Sequence, residues 1–224
     1  MNFPAGLFPE TWAWGACVPL ALIWLWCLRT APWKRIADSS QMNVWMGTIV
    51  VLILFWITKA GIKPGLNLHL LGATTFTLMF GRQLAILGFS VVVAGVTLSG
   101  NAAWEAYALN VLLSAVFPCF VADALLRIVE RYLPPNFFCY IFCATFFGAA
   151  IAVVSTGALT SIVLWLADVY SVEMLISDYF MYFVLLSYAE AWMNGMLVTL
   201  MVIYYPHWVG SFDDRRYLFN RDRK

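Results

Sequence analysis

Only two of the 224 residues are histidines, His69 and His207. His69 lies in the apolar run Asn67-Leu-His-Leu-Leu-Gly-Ala-Thr-Thr-Phe76. A neutral imidazole is a good ligand for nickel, copper, cobalt and zinc. On position alone, an interfacial histidine bonded to a backbone carbonyl is an equal alternative. His207 follows Pro206 after the last apolar run and reads as interfacial. Glu190 falls near the middle of that run. A carboxylate at bilayer depth costs on the order of 2.5–3.5 kcal/mol, so it must face the bundle interior with a partner. Asn194 is four residues on, hence on the same helix face. The pair reads as a relay for protons or cations, as a buttress behind a binding site, or as plain interhelical hydrogen bonding. Asn110 opens the fifth apolar run and can bond across helices. Glu105, just before it, reads as a charge at a helix N-terminus. Asp123 and Arg127 are spaced as an ordinary ion pair. Cys139 and Cys143 are also four apart. Two thiolates suit a soft metal, but burial as small apolar groups is the commoner use of free cysteine.

These residues sit in a membrane-embedded chain. Hydrophobic residues make up 63% and charged residues 11%, against roughly 25% charged in soluble domains. The sequence predicts an all-α, polytopic helical bundle of about seven transmembrane helices, at about 11–29, 43–60, 68–81, 83–99, 106–127, 138–166 and 179–204. The third is short. From Leu66 to Phe80 a helix would rise only about 22 Å, less than the hydrocarbon core of about 30 Å, so its neighbours must bury it. Residues 1–210 read as a single transmembrane domain and 211–224 as a short charged tail. With the N-terminus outside, eleven of the thirteen Lys and Arg fall inside, leaving Lys59 and Lys63 outside. That bias predicts N-out and C-in and suits a bacterial inner (plasma) membrane.

The start of the chain, Met1-Asn-Phe-Pro-Ala-Gly-Leu-Phe-Pro9, has no basic residue and so lacks the positive region of a signal peptide. It is expected on the outer face, with Phe3, Leu7 and Phe8 packing into the mouth of the bundle. The five cysteines all fall in predicted spans, which argues against a disulfide framework. The chain has no Gly-x-x-x-x-Gly-Lys-Ser/Thr loop, no Gly-x-Ser-x-Gly elbow and no His-Glu-x-x-His. Nucleotide hydrolysis by the chain itself is therefore excluded. Glu190, Asn194 and Asp123 form no recognisable nucleophile–base pair, so an enzyme is not expected. Nothing suggests nucleic-acid binding.

The run His69-Leu-Leu-Gly-Ala73, the turn Phe80-Gly81 and Asn110 in the following helix resemble the cobalt/nickel permeases of the CbiM/NikM type. Those are the substrate-binding membrane components of energy-coupling-factor ABC transporters. The last span, with Glu190 and Gly195, is similar to that family's final helix with its Gly-Glu-Gly motif. The opening Met1–Pro9 has the outline of the family's N-terminus, Met-His-Ile-x-Asp/Glu-Gly followed by Phe/Leu-Pro. The resemblance covers most of the chain in span order.

The resemblance implies an N-terminal segment folded back into the bundle and an all-nitrogen metal site. Carried over, that site is Met1 through its amine, residue 2 through its backbone nitrogen, and His69 through its imidazole. Asn110, Glu190 and Asn194 would be supporting polar groups. Such a site suits Ni(II), Co(II) or Cu(II) as substrate. Asn2 stands where the family has histidine, so one imidazole is missing; Ala5 stands where it has an acid. Two functions are then open. One is a transition-metal uptake permease component in membrane lipid, partnered by a transmembrane coupling subunit and ATPase subunits. The other is a non-transport protein on the same scaffold, a metal-handling or assembly factor or a sensor.

Overall fold

The computed structural model describes residues 2–58, 60–63 and 66–218. Among the described residues, five helices are long and apolar enough to cross a membrane: α1 Glu10–Thr30, α2 Ser39–Ile57, α5 Tyr107–Tyr132, α6 Phe137–Leu166 and α7 Val172–Tyr204. Between α2 and α5 lie a hairpin of β1 Ala60–Lys63 and β2 Leu66–Leu68, the short α3 Ala73–Phe80, and α4 Arg82–Leu98. The hairpin is antiparallel and pairs Ala60 with Leu68 and Gly61 with Asn67. A short helix, α8 Asp214–Tyr217, comes after the last span.

The elements track the apolar runs, with three differences. The third run is not helical from residue 68: it begins as strand and turn, and its helix starts only at Ala73. The last span begins at Val172, seven residues before the predicted start, because Ser171 accepts a bond from the Met174 amide and caps it. Glu105 does not cap a helix. The N-cap of α5 is Ala106, without a side-chain bond.

α3 is the centre of the molecule. All eight of its residues are buried, and all are apolar or threonine. α4, α5, α6 and α7 all pack against it. Two glycines bracket it. Gly72 takes φ 67° and ψ 9° at the entry, and Gly81 takes φ 81° and ψ 157° at the exit. The second pair of angles is open essentially to glycine alone, and it lets α4 begin one residue after α3 ends. α1 and α2 pack on α4 from outside and present apolar faces to lipid: Trp14, Val18 and Leu22 on α1, Val50 and Leu54 on α2.

The other end of α3 is held by chain from beyond α7. The amides of Gly210 and Ser211 donate to the carbonyls of Met79 and Leu78 at 3.0 and 3.1 Å, satisfying two last-turn acceptors that the helix itself leaves open. Tyr140 bonds the Ser211 hydroxyl at 2.6 Å, and Arg216 pairs with Glu130 at 3.1 Å. Phe212 and Tyr217 are buried. The described part of the tail, to Leu218, is thus packed against the bundle. Asp123 pairs with Arg127 at 2.8 Å and also with Arg82 at 3.0 Å.

The corner at Gly81 isolates backbone strain. A Cβ there would meet nothing nearer than the Gln83 side chain, at 4.0 Å. Gly81→Ala should therefore destabilise through conformation alone, by about 1–3 kcal/mol. Gly15→Ala, inside α1 with nothing within 4 Å of the new Cβ, should instead stabilise by roughly 0.5–1 kcal/mol. Thermal unfolding in detergent reads both. Equal midpoints for the two variants would contradict the corner's role.

Candidate metal site

His69 lies just past β2 and is almost fully buried, 5% exposed. Its ring lies against Trp56 of α2, centroids 4.3 Å apart. Its Nδ1 is 3.2 Å from the Leu70 carbonyl. The Trp56 indole donates to the Leu71 carbonyl at 3.3 Å, so one tryptophan fixes both the imidazole plane and the chain after it. From His69 the chain turns through Leu70 and Leu71 to Gly72 and enters α3.

The amides of that turn face α7. Leu71 and Gly72 donate to the two carboxyl oxygens of Glu190 at 2.9 and 2.5 Å. The Thr75 amide donates to Asn194 Oδ1 at 3.0 Å, and the Thr75 hydroxyl bonds the same oxygen. Asn194 in turn donates to Glu190 Oε1 at 3.1 Å and to the Glu190 carbonyl at 2.7 Å. Glu190 and Asn194 are 1% and 0% exposed. Here the four-residue spacing becomes a clamp. Two side chains of one helix face hold the amides at the start of α3, where the helix dipole also favours negative charge. Of the readings open to the pair, the geometry is that of a buttress two residues behind His69.

The N-terminal segment lies on the same end of the bundle. Asn2 and Phe3 are buried, at 3% and 0% exposure, and Phe3 meets Phe8 edge-on at 5.0 Å. Asn110 Oδ1 accepts from the Phe3 amide at 3.0 Å, and the Ala103 amide donates to the Phe3 carbonyl at 3.1 Å. The Asn2 carbonyl accepts from Asn67 Nδ2 at 3.0 Å, while Asn2 Nδ2 reaches the Trp56 carbonyl at 3.4 Å. Asn2, Asn110 and His69 are thereby gathered through Phe3, Asn67 and Trp56. Met1 lies outside the described residues.

Trp56 and Asn67 were not singled out in the sequence. Trp56 reads as one more tryptophan at the end of a span, and Asn67 as the polar edge of an apolar run. Their spacing gives no hint that both reach residue 2. Among the described residues, no group of three or more His, Cys, Asp or Glu side chains is placed to hold a metal. Cys139 and Cys143 therefore lack a third ligand of that kind.

The clamp makes a sharp demand. Every group that meets the Glu190 carboxyl is an N–H donor, so both oxygens must accept. Glu190→Gln would set an amide NH₂ against a backbone N–H. This should cost about 1–3 kcal/mol, the penalty for leaving a buried polar group unsatisfied. Asn194→Asp, which keeps the acceptor for Thr75 but loses the donor to Glu190, should destabilise as well. Unfolding midpoints unchanged in both variants would contradict the clamp.

Comparisons agree with this architecture. No curated protein matches the sequence. Two solved structures are similar: a transition metal transporter (15% identity, TM-score 0.77, covering 90% of this chain and 92% of that one) and a truncated transition metal transporter (15%, 0.78, 91% and 99%). At that identity they speak to the fold, a polytopic membrane helical bundle. Residues 2–208 match the family described as cobalt uptake substrate-specific transmembrane region, CbiM. The match spans the N-terminal segment, the His69 turn and all five long helices, and the protein is a member of that family.

Proposed function

We propose that this protein is the substrate-binding membrane component of a transition-metal uptake system. It takes the ion where the N-terminal segment meets His69. The observation that carries the reading is the burial of His69 against Trp56, which with Asn67 also bonds Asn2, in a turn whose amides are tied to Glu190 and Asn194. A buried imidazole held against Trp56, with its loop fixed in advance, is what a preorganised ligand needs. The donors would be the His69 imidazole, the backbone nitrogen of Asn2 and the amine of Met1. A nitrogen set of this kind suits Co(II), Ni(II) or Cu(II). The segment acts as a lid, with Phe3 and Phe8 packed below it.

The chain carries no nucleotide-binding motif. Transport would therefore depend on a transmembrane coupling subunit and ATPase subunits. The charge bias supports a lid on the outer face, and a bacterial inner membrane suits that bias.

Asn2 supports a second reading. Its side-chain nitrogen is committed to the Trp56 carbonyl, where a histidine would offer a further ligand. A metal-handling protein or sensor on the same scaffold would need only loose binding.

Elemental analysis of the detergent-purified chain with its native N-terminus tests the first reading. After incubation with Co, Ni, Cu and Zn, about one ion per chain is expected, lost in His69→Ala. Asn2→His, which restores the imidazole, should bind more tightly. Metal retained by His69→Ala would move the site elsewhere. No metal in either protein, with Asn2→His equally empty, would overturn the uptake reading.

A further inference from the structure

A groove of about 920 Å³ runs between α1 and the start of α5, on the flank of the bundle away from His69's clamp. One wall is a single face of α1, where Glu10, Ala13, Cys17, Ala21 and Trp24 recur at three- and four-residue intervals. The other wall carries Trp104 and Glu105, and Pro4 and Phe8 of the N-terminal segment also line it. Its two ends differ. Glu10 is the first residue of α1 and Glu105 stands two residues before α5, so both carboxylates mark the end that bears the N-terminal segment. Both are exposed. No Lys or Arg occurs among the described lining residues. At the other end, Trp24 and Tyr107 meet edge-on, centroids 6.2 Å apart. Both are pinned to Ser90 of α4: the Trp24 indole donates to its hydroxyl at 2.9 Å and the Tyr107 hydroxyl to its carbonyl at 2.8 Å. That end is a fixed floor.

Length and charge together select the occupant. From Glu10 to Trp24 an α-helix rises about 21 Å. One leaflet, half of a hydrocarbon core of about 30 Å plus its headgroup layer, is roughly 20–22 Å. A partner's spanning helix would need a groove running the full core, and this one is closed by Trp24 and Tyr107 after about one leaflet. A bare metal ion would need a cage of ligating side chains, and none is formed among the described residues. We infer that the groove holds one lipid of the leaflet on the N-terminal side, with an amine-bearing headgroup at Glu10 and Glu105 and an acyl chain laid along Cys17, Ala21 and Trp24. An ammonium among carboxylates and tryptophan faces gains from both ion pairing and cation–π attraction. An anionic headgroup there meets the repulsion of both carboxylates. Because Pro4 and Phe8 form part of the same wall, the bound lipid touches the segment that covers His69.

The test is native mass spectrometry of the full chain. The protein is equilibrated in mixed micelles with equal amounts of phosphatidylethanolamine and phosphatidylglycerol of identical acyl chains. The wild type should retain one lipid per chain, with phosphatidylethanolamine favoured several-fold. The double variant Glu10→Gln/Glu105→Gln should keep a lipid but lose the preference. Ala21→Trp, which fills the middle of the groove from a lipid-facing position, should lose the lipid while keeping the wild-type unfolding midpoint. Equal retention of the two lipids by the wild type would overturn the inference. So would a double variant with the wild-type preference, a tightly held lipid in Ala21→Trp, or a copurifying polypeptide displaced by Ala21→Trp in place of a lipid. None of these outcomes depends on metal binding, so the lipid site and the metal site stand or fall separately.

Discussion

A carboxylate in the middle of a membrane span needs partners, and so do the bare amides at the start of a buried helix. Here each answers the other. Glu190 accepts from the amides of Leu71 and Gly72, and Asn194 accepts from that of Thr75. Without water in the hydrocarbon region, neither set could be left open. α3 is too short to span the bilayer and is buried on every side. Besides packing against the surrounding helices, it is held at its beginning by α7 and capped at its last carbonyls by residues 210–211. Both fixings belong to one stretch of chain, the last span and the residues just beyond it.

The position of His69 results from that arrangement. The imidazole is placed by a short, irregular piece of backbone between the hairpin and α3, which by itself would be poorly determined. Its far side is fixed by Glu190, its ring by Trp56, and its outer approach by the N-terminal segment. That segment is in turn sewn in by amide groups, Asn110 to Phe3 and Asn67 to Asn2. Irregular backbone at membrane depth is tolerated where protein surrounds it, and here it carries the buried imidazole. Family membership makes the protein a metal-uptake component. The burial of His69 in the fixed turn is the feature on which the proposed site rests.

Much of the fold was legible because lipid imposes a simple rule: long apolar runs become helices. The runs at 11–29, 43–60, 83–99, 106–127 and 138–166 map closely onto helices. The shortness of the third run showed that its neighbours must bury it. The hairpin was not legible, since strands of four and three residues leave little periodicity. Nor was the strand-and-turn start of the third run, where only Gly72 signals a break. In the site, His69, Asn110, Glu190 and Asn194 stood out as polar groups in apolar runs, and the spacing of 190 and 194 foretold a shared face. What Asn110, Glu190 and Asn194 accept from could not be read, because the donors are backbone amides more than a hundred residues away. The roles of Trp56 and Asn67 were hidden because both reach residue 2 from distant parts of the chain. The groove beside α1 depends on Ser90, which looks like any small residue in an apolar helix.

The central claim is that His69, under the N-terminal segment, is where the ion is held. Crystals of the chain with its native N-terminus, soaked in a cobalt salt, would test it through an anomalous difference map at the cobalt edge. The account predicts a peak about 2 Å from an imidazole nitrogen of His69, between that ring and the backbone of Asn2. A peak beside Cys139 and Cys143, at Glu10 and Glu105, or anywhere else away from His69 would contradict it.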